Sequence, residues 1–302
     1  MTQIRTFATA RPLWAAVIAV LVVLALLFSP VLISGPTDLT QGTGTLEVVV
    51  GLFALVFQSA AAALALAAVW VLGWGRETTL IARSDPEGLK LSAWFLGPVV
   101  ILCLACAVLA LQAPRYDATG ARLVMTLLFG LAVGVTEEVL FRGVLMHGLR
   151  SRVSTGRALV ICSLAFAVSH SANGLWGQSP LLTAQQIGFT FVFGALLGAI
   201  ALQTASLWPA ILLHGLWDVA VITLQLVEDP FVPEPGSDPT GPVPQGGPPP
   251  DATTYDAPPL ETWAVIGTAG VALGVIAVVG LLALIVYRRW RRRIAASAVW
   301  RA

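Results

Sequence analysis

Eight apolar stretches, each about as long as a membrane-crossing helix, constrain this chain more than any other feature. They run over approximately 13–34, 48–73, 92–113, 122–148, 158–176, 186–203, 207–227 and 263–287. A helix rises 1.5 Å per residue, so a bilayer core about 30 Å thick takes roughly 20 residues to cross. Inside that core each backbone amide must bond within its own segment, and a helix does this. Charge is correspondingly scarce: 11% of the 302 residues are Asp, Glu, Lys or Arg, and 57% are hydrophobic. Soluble domains carry about 25% charged residues. A single soluble domain and chain-wide disorder are both excluded. The expected fold class is all-α, a polytopic membrane helical bundle of about eight transmembrane helices. The first run lacks a small-x-small cleavage pattern and reads as a retained helix. Cys103, Cys106 and Cys162 all sit inside apolar runs, so they read as packed thiols and not as a disulfide framework.

The basic residues alternate with the spans. Arg5 and Arg11 precede the first; Arg76, Arg83 and Lys90 lie between the second and third. Arg150, Arg152 and Arg157 lie between the fourth and fifth, and Arg288 to Arg293 and Arg301 follow the eighth. Fourteen of the seventeen basic residues thereby fall on one side. The positive-inside rule assigns that side to the cytoplasm, with both termini there, in a multi-pass plasma-membrane protein. The organisation expected is three N-terminal spans over 1–121, a four-span core over 122–227, a loop over 228–262, and a last span with a basic tail over 263–302. Residues 228–261 hold eleven of the nineteen prolines, seven acids and no Lys or Arg, which reads as an extended or disordered extracytoplasmic loop. Nothing in the charge pattern suggests a nucleic-acid partner; the partner implied by composition is the lipid bilayer.

Polar residues inside the spans carry the functional information. The fourth contains Glu137, Glu138 and Arg142, the fifth Phe166 and His170, and the seventh His214 and Asp218. Each charged group near a helix centre costs about 2.5–3.5 kcal/mol on insertion scales, which makes such residues candidates for function. Spacing sorts them. Glu138 and Arg142 are i,i+4 and form an ion pair on one helix face. Glu137 is rotated about 100° from Glu138 and is left without a cationic neighbour on its own helix, as a general base or acid requires. His214 and Asp218 are again i,i+4. Glu137, His170, His214 and Asp218 are expected to converge in one hydrated cavity.

Glu137-Glu138-x-x-x-Arg142, Phe166-x-x-x-His170 and His214-x-x-x-Asp218 resemble the three signature motifs of the CPBP family. That family comprises type II CAAX prenyl endopeptidases and bacteriocin-processing or bacteriocin-immunity membrane proteins, the Abi group. The resemblance covers about 122–222. It implies an intramembrane endopeptidase acting on peptide or membrane-protein substrates. In that reading Glu137 activates water with His170 assisting, Glu138 and Arg142 support the site with Phe166 beside them, and His214 and the residue at 218 stabilise the oxyanion. The family has Asn or Asp at the last position, and here it is Asp218. An ionised Asp cannot donate a hydrogen bond. Asp218 therefore carries a proton, orients His214, or helps hold a cation. For cofactors the expectation is none or zinc, with Glu137, His170, His214 and Asp218 as the candidate ligands. Two other classes fit the same residues: a non-proteolytic immunity or adaptor protein, and a proton-coupled carrier. A carrier is disfavoured because the two halves show no internal repeat.

Overall fold

The computed structural model describes residues 1–34, 44–81, 85–112, 120–228 and 259–299. Among them every element is helical. In chain order these are α1 (Thr2–Ala10), α2 (Pro12–Ser34), α3 (Gly44–Leu72), α4 (Pro86–Gln112) and α5 (Gly120–Glu137). A π-helical segment (Glu138–Leu145) runs on into α6 (Met146–Arg150). Then come α7 (Thr155–Ser169), a 3-10 turn (His170–Trp176), α8 (Pro180–Thr204), α9 (Trp208–Glu228) and α10 (Pro259–Val299). The molecule is an all-α polytopic bundle, as its composition requires.

Six stretches among the described residues are long and apolar enough to cross a membrane: Pro12–Ser29, Gly51–Leu72, Pro86–Leu109, Arg122–Arg150, Thr155–Leu175 and Pro180–Thr204. Trp208–Leu224 is apolar but shorter. The eighth expected span falls within α10. The Pro-rich stretch lies outside the described residues except at its edges, where Glu228 closes α9 and Pro259 opens α10. α1 was not anticipated from the sequence. Its Arg5 donates from Nη2 to the Trp70 carbonyl (3.2 Å) and from Nε to that of Val71 (3.3 Å). A cation thus caps the C-terminal carbonyls of α3.

α8 is the most deeply buried of the six spans and α4 the least. On α4 the exposed residues Trp94, Ile101, Leu104 and Leu111 recur at helical spacing and make a lipid-facing stripe. Lipid chains are as apolar as these side chains, so close backbone contact must hold the bundle together instead. α5 and α9 meet through glycine. A Cβ at Gly134 would lie 2.6 Å from the Ile211 carbonyl oxygen and 2.8 Å from the Gly215 nitrogen, and one at Gly130 would lie 2.8 Å from the Gly215 oxygen. This brings Glu138, one turn beyond Gly134, within reach of His214, the neighbour of Gly215 on α9.

At the opposite end of α9 the chain reverses from α8 in three residues, with Ala205 in the left-handed region at φ 52°. The segment before α4 closes that turn. The Asp85 amide donates to the Thr204 carbonyl (2.7 Å) and the Leu207 amide to the Thr79 carbonyl (3.4 Å). Asp85 also caps α4, since its carboxylate accepts from the Gly88 amide (2.7 Å), and it pairs with Arg293 of α10 (2.9 Å). Arg293, with the Gly88 amide helping, holds the Asp85 carboxyl below the ordinary carboxylate range.

Two outcomes follow from this packing. Gly134→Val should force α9 away from α5 and lower stability by about 1–3 kcal/mol. Gly97→Ala, where nothing lies within 4 Å of the added carbon, should leave detergent melting curves unchanged or slightly raised. Asp85→Asn keeps the cap and loses the ion pair, which is partly exposed, so its cost at neutral pH should be under about 1 kcal/mol. A depressed carboxyl stabilises above its unfolded value and loses that contribution as pH falls through its folded value. The gap between wild type and Asp85→Asn should therefore be full at pH 7 and close below about pH 4 in melts taken across pH 3–7.

Candidate functional site

Glu138 and Arg142 lie on the π-helical segment, whose eight residues are all buried. Both side chains are wholly shielded, at 0% exposure, and Arg142 Nη1 donates to Glu138 Oε1 at 2.7 Å. The ion pair expected from spacing is present. Its surroundings explain how it tolerates burial. The guanidinium carbon lies 4.2 Å from the centre of the Phe166 ring, a cation–π contact strengthened by the absence of water. Gly194 of α8 makes room for this sandwich, since a Cβ there would lie 2.7 Å from Arg142 Nη2 and 2.9 Å from Phe166 Cδ1.

His214 completes the pair. Its Nδ1 lies 2.8 Å from the same Glu138 Oε1 that Arg142 reaches. A carboxylate paired with arginine accepts, so Nδ1 carries the hydrogen. Glu138 thereby fixes both tautomer and ring plane. The ring is held edge-on between Phe166 and Phe193, each 5.6 Å from it centre to centre. His214 is 4% exposed.

The other imidazole nitrogen faces a second pair of acids. Nε2 is 3.6 Å from Glu137 Oε2 and 3.5 Å from Asp218 Oδ2. These two side chains are 20% and 23% exposed, in contrast to the sealed Glu138. Glu137 is thus within ion-pairing distance of a histidine. The expectation that it lacks a cationic neighbour holds along its own helix and fails across the bundle. Spacing on one helix could not show what α9 brings opposite.

His170 closes α7 at the first residue of the 3-10 turn. Its Nδ1 donates to the Phe166 carbonyl (2.8 Å), and its ring stands edge-on to Phe166 at 4.8 Å. Phe166 therefore touches Arg142, His170 and His214 together. Through it all seven residues singled out in the sequence belong to one connected cluster, with His170 joined by ring contact and not by a direct hydrogen bond to the acids.

The sequence reading missed Gln58. It lies on α3, outside all three motifs, and is 8% exposed. Its Nε2 donates to Thr136 Oγ1 at 3.1 Å, and Thr136 donates in turn to the Ala132 carbonyl (2.7 Å). Thr136 directly precedes Glu137, so a helix outside the core steadies the backbone that carries it. A lone Gln in the apolar 51–72 run was the available signal.

Among the described residues, no group of three or more His, Cys, Asp and Glu side chains is arranged to hold a metal ion. His214 Nδ1 is bonded to Glu138 and His170 Nδ1 to a carbonyl, which leaves Nε2 of both imidazoles without a hydrogen bond among the described residues. Cys103, Cys106 and Cys162 are free thiols, and Cys103 Sγ reaches the Leu216 carbonyl of α9 at 2.8 Å.

Fold and site together define a polytopic membrane protein with acids and imidazoles gathered inside its helical bundle. Residues 119–220, about a third of the chain, match the model of the family described as type II CAAX prenyl endopeptidase Rce1-like, which supports a CPBP-type membrane protease. No curated protein and no solved structure matches the chain.

The two glutamates should behave differently on substitution. Arg142→Leu leaves buried Glu138 without its arginine and should cost about 3–5 kcal/mol, read as loss of the folded species on size-exclusion chromatography. Glu137→Gln, at the open side of the site, should melt within about 1 kcal/mol of wild type.

Proposed function

We propose that the chain is an intramembrane endopeptidase that hydrolyses peptide bonds in hydrophobic or membrane-associated substrates. One observation carries this reading: a single imidazole is anchored at Nδ1 by a sealed ion pair, while its Nε2 faces two less deeply buried carboxylates at 3.5 and 3.6 Å, on side chains 23% and 20% exposed. That spacing is bridged by one water or one substrate oxygen. In the proposed step Glu137 takes a proton from water as the water oxygen bonds to the scissile carbonyl carbon. The carbonyl π electrons move to its oxygen, which becomes the oxyanion. The C–N bond then breaks, the carbonyl re-forms, and Glu137 returns the proton to the leaving amine.

His170 has its Nδ1–H committed to Phe166, so its Nε2 serves as an acceptor for the water's second hydrogen. The oxyanion is met by His214 Nε2–H in the imidazolium form. Asp218 donates to the oxyanion only when it carries a proton; when ionised it orients His214 instead. The reaction as proposed uses no resident metal. Both termini are assigned to the cytoplasm by the positive-inside rule. The chemistry of the site does not require a prenyl group on the substrate.

The test is cleavage of a panel of fluorogenic and membrane-anchored peptides by detergent-purified protein. Glu137→Gln should lower turnover by about 10²–10⁴-fold with the fold retained. Asp218→Asn, which donates without needing a proton, should keep turnover within about tenfold. Chelator should leave the rate unchanged. Equal turnover in wild type and Glu137→Gln would end the proposed role of Glu137. Loss on chelation with recovery on adding Zn²⁺ would replace the metal-free step.

A further inference from the structure

The basic residues at one end of the bundle form a surface that the hydrolytic site does not use. Several cations elsewhere in the described chain are committed: Arg5 to α3, Lys90 to Glu87, Arg142 to Glu138, Arg293 to Asp85. Arg152, Arg157, Arg288, Arg289, Arg291 and Arg292 are different. All six are exposed and, among the described residues, have no ion-pair partner.

They come from two segments some 130 residues apart in the chain, which the fold joins. Tyr287 of α10 reaches with its hydroxyl to Gly156 at the start of α7, where a Cβ would collide with it. Arg157 follows Gly156 and Arg288 follows Tyr287, so the contact sets the two groups of arginines side by side. α10 continues without a break through Arg293, whose bond to Asp85 fixes the helix over the α8–α9 turn.

The position selects the partner. The arginines begin where the apolar run of α10 ends, at the depth of lipid headgroups. Tyr287 and Trp290 stack there at 5.5 Å, as interfacial aromatics do. Four or more arginines directly beyond a transmembrane helix match anionic headgroups, and the planar guanidinium binds phosphate by paired hydrogen bonds. At about 100° per residue, Arg288, Arg289, Arg291 and Arg292 fall within an arc of about 160°, so the helix presents its charge as one face.

We propose that this surface is a binding site for anionic phospholipid headgroups, built jointly by the α10 extension and the start of α7. Occupancy would hold α10 against α8, which it meets at Gly188 through Ile276 and at Val192 through Gly280. Val192 is followed by Phe193, which flanks His214. Lipid charge would thereby steady one wall of the site from outside the family segment.

The experiment is native mass spectrometry of the full chain released from nanodiscs of phosphatidylcholine mixed with phosphatidylglycerol. Wild type should retain phosphatidylglycerol at least tenfold over its share of the bilayer. The quadruple variant Arg288→Gln, Arg289→Gln, Arg291→Gln, Arg292→Gln should lose most of that excess, and the double variant Arg152→Gln, Arg157→Gln should lose part of it. Retained lipid should fall as salt rises. Thermal melts supply a second readout. Added phosphatidylglycerol should raise the melting temperature of wild type by several degrees and that of the quadruple variant by much less, while inorganic phosphate does neither. Retention that ignores lipid charge, or variants that retain as much as wild type, would overturn the proposal. So would stabilisation by free phosphate, or by a poly-glutamate peptide in place of lipid. None of these outcomes depends on peptide cleavage, so the lipid site stands or falls apart from the hydrolytic reading.

Discussion

A charged pair sealed inside a membrane protein sets the terms for everything around it. Glu138 and Arg142 are fully shielded and lie 2.7 Å apart. Taking two such ions out of water carries a penalty of several kcal/mol each, which attraction between them offsets only when geometry is good and other groups add to it. The additions here are specific: a second donor, His214 Nδ1, on the same oxygen, an aromatic face under the guanidinium, and a glycine in α8 that lets both fit. Remove the glycines at 134 and 194 in thought and the pair loses its neighbours before it loses its partner. The small residues of the bundle are therefore part of its electrostatics.

The same pair divides the acids of the site into two kinds. Glu138 is sealed, shared by two donors and chemically spent. Glu137 is adjacent in sequence yet a fifth exposed, and Glu137 Oε2 has no hydrogen bond within the described protein. His214 spans the difference, with one nitrogen in the sealed layer and the other in the open one. Its Nδ1 is bonded to a fixed carboxylate while Nε2 lies 3.5 and 3.6 Å from two more, so one rigidly held ring links all three acids.

Much of this was legible in the sequence, for identifiable reasons. Span length is set by the bilayer and helical rise, so the positions of the long helices could be read directly from apolar runs. The Glu138–Arg142 and His214–Asp218 pairs are local, four residues apart, and local spacing predicts them. What could not be read is what depends on distant segments. Nothing four residues from Glu137 announces His214, because α9 supplies it. Gln58 bonds Thr136 across 78 positions, and Arg293 reaches Asp85 across 208. The π-helical turn at Glu138–Leu145 was also invisible, since widening a helix by one residue per turn leaves composition and hydrophobic pattern intact. α1 escaped notice because nine mixed residues are too few to show a period.

The π segment is short, and its place in the chain is where local geometry and distant contacts meet. A regular α-helix separates consecutive side chains by about 100°, which would aim Glu137 and Glu138 at different neighbours. Here both reach one imidazole ring, Glu138 at Nδ1 and Glu137 toward Nε2. The wider turn begins at Glu138, immediately after Glu137 and immediately after the Thr136 that Gln58 holds. One end of the irregular stretch is thus fixed from α3, and its middle is fixed by Arg142 against Phe166. The irregular backbone is held by polar bonds just before it and within it, and the two adjacent acids reach opposite nitrogens of a single histidine.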